Sequence, residues 1–162
     1  MKKILFLFVI LGFSILLVGQ QKEIPLLKYE QLQKKIQTEG AEFLVVNFWS
    51  TTCAPCVKEL PDFMKVNEEF QNNPKFKMLL VSLDRAKDLD RVRKFIRDKN
   101  ITAEVVLLDD IKRMNTWIPA FDKSWSGEIP VTIFYQHQEK VLFHNGEMSL
   151  SELQDVVTQH LN

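Results

Sequence analysis

Cys53 and Cys56 are the only cysteines in a chain of 162 residues, and they stand three positions apart in the stretch WSTTCAPCVKELP, with Pro55 between them. A C-x-x-C pair at the start of a helix is a redox device. Its first sulfur lies where unpaired backbone N–H groups and the helix dipole favour an anion, so its thiolate is stabilised. That thiolate attacks a disulfide in another molecule. The second cysteine, about one turn on, then attacks the mixed disulfide and releases the product. On this spacing Cys53 is the nucleophile and Cys56 the resolving thiol. Pro55 falls near the first helical turn, where a missing N–H is tolerated and a fixed φ suits the helix.

Other uses of the pair fit less well. A stapling disulfide joins distant segments, because its constraint on the unfolded chain grows with loop length; a bridge across two residues constrains almost nothing. A zinc site needs four ligands, and the chain has no second C-x-x-C, while His137, His144 and His160 come late and lack ligand spacing. Haem attachment needs C-x-x-C-H, and Val57 occupies the fifth place.

The elements that must position the pair are legible around it. YEQLQKKIQ, 29–37, carries Leu32 and Ile36 at helical spacing and stops at Gly40. Phe43 to Phe48 is a nearly continuous apolar run, as in a buried strand. Leu60, Phe63, Met64 and Phe70 give the apolar face of a helix that Pro61 is expected to kink and that ends by Asn72-Asn73-Pro74. A strand over 76–83, a helix face from Leu89, Val92, Phe95 and Ile96, and a strand over 104–108 follow. Residues 109–128 read as irregular, with Trp117, Phe121 and Trp125 either anchoring a long loop or forming a lid. VTIFY, 131–135, and KVLFH, 140–144, read as a hairpin. Ser149 and Glu152 make a capping box that opens a last helix with Leu153, Val156, Val157 and Leu161. Strands alternating with helices predict an α/β fold: a central mixed sheet of about five strands, helices on both faces, and an antiparallel C-terminal strand pair.

Lys2 and Lys3 precede an apolar run from Ile4 to Val18, followed by Gly19. This pattern predicts a signal peptide over 1–19, with an uncleaved anchor through 4–19 as the alternative. Residues 20–27 read as a short lead-in and 28–162 as one domain. The expected setting is the periplasm or cell envelope, where thiols readily oxidise. Charge is balanced, with 21 Lys and Arg against 21 Asp and Glu, and nothing clusters as a nucleic-acid surface.

Val46 to Pro61 (VNFWSTTCAPCVKELP) resembles the active-site segment of thioredoxin-like proteins, most closely exported thiol–disulfide oxidoreductases of the TlpA/ResA type. The resemblance is strong again at Gly127-Glu128-Ile129-Pro130-Val131-Thr132 and extends over most of the chain after residue 25. It implies a thioredoxin-like fold and the attacking and resolving roles for Cys53 and Cys56. It also implies a wall of the site at Trp49, a cis peptide bond at Ile129–Pro130, and an Ile129 backbone that pairs with an incoming peptide. Glu59 matches a glutamate found near the cysteines. Its position suits either a buried carboxylate that exchanges protons with the departing thiol or an exposed helix residue. Two departures stand out. Asn47 occupies the place of thioredoxin's buried aspartate, and Thr52 the place of a tryptophan common in the family. Lys58 is either a partner of the Cys53 thiolate or a solvated lysine.

The resemblance implies reduction of protein disulfides without a metal or organic cofactor. The implied partners are oxidised proteins, such as cytochrome c precursors or envelope enzymes, and a membrane-associated thiol electron donor, with no nucleic acid. The rival readings are a disulfide-forming oxidase, a thiol peroxidase, and a non-enzymatic binding or chaperone module.

Overall fold

The computed structural model describes residues 23–161; the expected signal or anchor over 1–19 lies outside them. Six strands form one sheet: β1 (Leu26–Leu27), β2 (Phe43–Trp49), β3 (Phe76–Ser82), β4 (Glu104–Leu108), β5 (Val131–Gln136) and β6 (Glu139–Asn145). Their spatial order is β1-β4-β3-β2-β5-β6. The first four are mutually parallel, β5 runs antiparallel to β2, and β6 runs antiparallel to β5. Five helices cover it: α1 (Tyr29–Thr38), α2 (Ala54–Phe70), α3 (Leu89–Asp98), α4 (Met114–Phe121) and α5 (Leu150–Leu161). This is the mixed α/β architecture expected from the sequence.

β2 lies in the middle of the sheet and all seven of its residues are buried, which explains its unbroken apolar run. Its side chains divide between two cores. Phe43, Val45 and Trp49 pack with Leu60, Phe63 and Val66 of α2, Val92 of α3, and Leu153 and Val157 of α5. Leu44, Val46 and Phe48 pack with Leu32 and Ile36 of α1 and with the aromatics around α4. α2 therefore sits on the first face, and its N-terminus meets the C-terminal end of β2.

Two elements differ from the sequence reading. β1 adds a sixth strand within the lead-in: Leu26 and Leu27 pair with Leu107 and Leu108, and Ile24 is buried just before it. The 109–128 stretch is not irregular throughout, because α4 forms there despite Pro119. A proline in a helix interior costs about 3 kcal/mol. Burial of Trp117, Ile118 and Phe121 contributes roughly 1.5–3 kcal/mol each, so packing wins. Trp117, Phe121 and Trp125 are all buried against Phe48 or one another, which makes this segment an anchored cluster and not a lid. The structure carries α2 through Pro61 as one helical element. The β5–β6 turn uses His137 and Gln138, both at positive φ, the backbone that a tight hairpin requires.

Candidate active site

Cys53 is the N-cap of α2 and Cys56 lies in its first turn. The two are joined in a disulfide, with Cα atoms 5.3 Å apart. The Cys56 N–H donates to Cys53 Sγ at 3.2 Å, so a backbone donor and the positive end of a 17-residue helix face the sulfur that must carry negative charge. Exposure separates the two thiols. Cys56 is fully buried, whereas Cys53 is partly exposed, so Cys53 is the sulfur that solvent reaches. Pro55, exposed, sits in the first turn as expected.

The loop before β5 forms the other wall. The Ile129–Pro130 peptide is cis, and the Ile129 carbonyl oxygen lies 3.6 Å from Cys53 Sγ. Ile129 is half-buried and Pro130 buried. The loop is held from both sides. Trp125 Nε1 donates to the Glu128 carbonyl at 2.7 Å, Ser126 and Asn145 donate to the Glu128 carboxylate, and Gly146 N–H donates to the Pro130 carbonyl at 3.0 Å. Gly127 has φ +104°, and a Cβ there would lie 3.1 Å from Ile118 Cδ1. Gly127→Ala is therefore expected to destabilise the protein by roughly 1–2 kcal/mol, measured by urea unfolding, and to slow exchange at Cys53 by shifting the loop.

Glu59 is 3% exposed, so of its two sequence readings the structure has the buried one. It sits on the same helix as Cys56, one turn further on, where side chains three apart are neighbours. Its Oε1 accepts from Asn47 Nδ2 at 2.8 Å and its Oε2 from Met148 N–H at 2.9 Å. Burial pushes its carboxyl up to about 7; these two hydrogen bonds oppose the shift and Glu147 adds to it. Asn47 also donates to Thr132 Oγ1 at 3.1 Å, tying Glu59 to β5 directly after Pro130. Glu59 is thus a carboxylate able to take up or release a proton near neutral pH.

One residue occupies a place different from the one the resemblance implies. Trp49 is fully buried, with its ring 5.2 Å from Phe95 and in the same cluster as Cys56 and Leu60. It backs the site from within the core and offers substrate no face. Lys58 is exposed and paired with Glu147 at 2.6 Å, so of its two readings the structure has the solvated lysine. Thr52 is exposed, which leaves the rim beside Cys53 open. Met148 and Asp84 escaped the sequence reading. Met148 acts through its backbone N–H, which no residue type signals. Asp84, just past the end of the neighbouring strand β3, accepts hydrogen bonds from Ser50 and Thr51. Among the described residues no group of three or more His, Cys, Asp or Glu is placed to hold a metal ion.

The family model described as AhpC/TSA matches residues 21–144. The chain belongs to the AhpC/TSA family. Among solved structures, this AhpC/TSA member is similar to a thioredoxin-family thiol:disulfide interchange protein from Chlorobium tepidum, at 19% identity over 80% of this chain and 85% of that one, TM-score 0.64. It is also similar to StoA from Bacillus subtilis, at 21% identity over 73% and 83%, TM-score 0.55. A third is a secreted Mycobacterium tuberculosis disulfide oxidoreductase described as homologous to E. coli DsbE, at 21% identity over 73% and 81%, TM-score 0.57. At these identities the likeness is one of fold, and it is the thioredoxin-like fold. A bridged C-x-x-C at a helix N-terminus, in this family and this fold, has the geometry that thiol–disulfide exchange requires.

Proposed function

We propose that the protein reduces disulfides in other proteins outside the cytosol. The observation that carries this reading is the pairing of a reachable Cys53 with a buried Cys56 one turn from a buried Glu59. The Cys53 thiolate attacks one sulfur of the substrate disulfide. A Cys53–substrate disulfide forms and the substrate's other sulfur leaves as a thiolate. Glu59 accepts the Cys56 proton, and the Cys56 thiolate attacks Cys53 Sγ, breaking the Cys53–substrate bond, forming the Cys53–Cys56 disulfide and releasing the substrate's second sulfur as a thiolate, which takes up a proton. Two electrons have passed to the substrate, and a thiol donor on the membrane side restores the dithiol by the reverse exchange.

Ile129 and Pro130 hold the substrate: the Ile129 backbone, beside Cys53, adds an incoming peptide as a short strand. Asn47 and Pro55 are supporting residues, the first for Glu59 and the second for the start of the helix. Export is supported by Lys2, Lys3 and the apolar run after them, and one similar structure is itself described as secreted. Residues 1–19 are then a signal or an anchor.

A peroxidase is the second reading, favoured by the family match. The two separate in one experiment on the reduced protein. Reduction of insulin disulfides with dithiothreitol as donor is the expected activity. Consumption of hydrogen peroxide with no protein-disulfide reduction would replace this reading with the peroxidase.

A further inference from the structure

Only three residues, Ser50, Thr51 and Thr52, separate the end of β2 from Cys53. None is in a helix or strand, yet this short tether is pinned. Asp84, just past the end of β3 and with 1% of its side chain exposed, accepts from Thr51 N–H at 2.9 Å, Thr51 Oγ1 at 2.6 Å, Ser82 Oγ at 2.9 Å and Ser50 Oγ at 3.4 Å. Arg91 of α3 closes the cluster from outside, with one guanidinium nitrogen on Asp84 at 2.9 Å and Nε on Thr51 Oγ1 at 2.9 Å. The Ser50 carbonyl in turn accepts from Cys53 N–H at 3.2 Å. Burial works against ionisation of Asp84, but the hydrogen bonds from Thr51, Arg91 and Ser82 outweigh it and hold the carboxyl below its usual range.

A buried carboxylate with this many donors is costly to assemble, and the exchange chemistry described above does not use it. We infer that Asp84 and Arg91 are positioning residues that hold the Ser50–Thr52 tether and so set the stability of the Cys53–Cys56 disulfide. In the oxidised protein the bridge itself fixes Cys53 against α2. In the reduced protein that constraint is gone, and the tether decides how often the Cys53 sulfur lies against Cys56. The closer it is held, the higher the effective concentration of one thiol at the other and the more favourable the disulfide. Loosening the tether lowers that equilibrium constant and makes the pair more oxidising. This inference rests on dithiol–disulfide cycling at Cys53 and Cys56, and not on which substrate is reduced.

The test is the reduction potential of the full-length protein and of Arg91→Ala and Asp84→Asn, each equilibrated with dithiothreitol buffers, alongside their unfolding curves. Arg91 is about half exposed, at 47%, so its removal leaves the core intact even if Asp84→Asn folds poorly. The expected result is a roughly tenfold fall in the disulfide-forming equilibrium constant in both variants, which is a rise of about 30 mV for a two-electron couple. A folded Arg91→Ala protein with lowered stability and an unchanged potential would overturn the inference, leaving the cluster a structural staple. The potential is measurable whether or not insulin is a substrate, so failure of the proposed function reads out separately.

Discussion

Cys53→Ser is expected to lose protein-disulfide reduction by at least about three orders of magnitude, as removal of the nucleophile from a covalent mechanism does. Cys56→Ser is expected to behave differently. Its Cys53 still attacks, because that sulfur is the exposed one and keeps the backbone N–H of position 56 as its donor. The mixed disulfide then has no internal thiol to resolve it and accumulates. Non-reducing electrophoresis after mixing with an oxidised substrate checks both outcomes: adducts with Cys56→Ser and none with Cys53→Ser. Adducts through Cys56 instead would reverse the two roles. Full function in a Cys53→Ser, Cys56→Ser protein would favour the binding-module reading.

Glu59→Gln carries the second large effect, and it has two parts. A general acid–base group contributes typically 10²–10⁴-fold, so resolution of the mixed disulfide is expected to slow by about 10² or more. The wild-type rate of that step should rise through an inflection near pH 7, and the variant should lack it. Stability should change with pH as well. The Glu59 carboxyl is raised from 4.5 to about 7 by burial. The folded protein therefore holds a proton between those values that the unfolded chain releases. That contribution is fully present below pH 4.5 and is lost as pH rises through 7. The difference corresponds to on the order of 3 kcal/mol. The amide of the Glu59→Gln variant does not titrate, so unfolding at pH 5 and pH 8 should show the variant gaining on the wild type by about this amount as pH rises. Parallel stability curves for the two proteins would remove the buried, titrating glutamate from the mechanism.

How far each part was legible depends on whether its cause is local. β4 was readable residue for residue because EVVLL is a short buried run between polar neighbours. β2 was read one residue short, since Trp49 looked more like part of the motif than part of the strand. The thiol pair carries its own chemistry in its spacing. β1, with two residues and one exposed leucine, exists only because β4 offers a free edge, and no periodicity can announce it. α4 defied its proline because the underside of the sheet needed Trp117 and Phe121, a demand made by Phe48 and others far off in sequence. Glu59 could be read as buried or exposed because the group that covers it, the Met148 N–H, lies 89 positions away. Asp84 and Arg91 carry no local signal of a role in the sequence. Their meaning comes from Thr51, 33 and 40 positions earlier.

The direction of electron flow is the central claim, and the reduction potential of the Cys53–Cys56 pair tests it most directly. After equilibration of the protein with glutathione or dithiothreitol buffers, the fractions of dithiol and disulfide give the value. A potential near that of thioredoxin, about −270 mV or lower, is expected, because a dithiol at that level donates electrons readily to protein disulfides. A potential toward about −120 mV would contradict it: the reduced form would then be the stable one, and the protein would be a donor of disulfides.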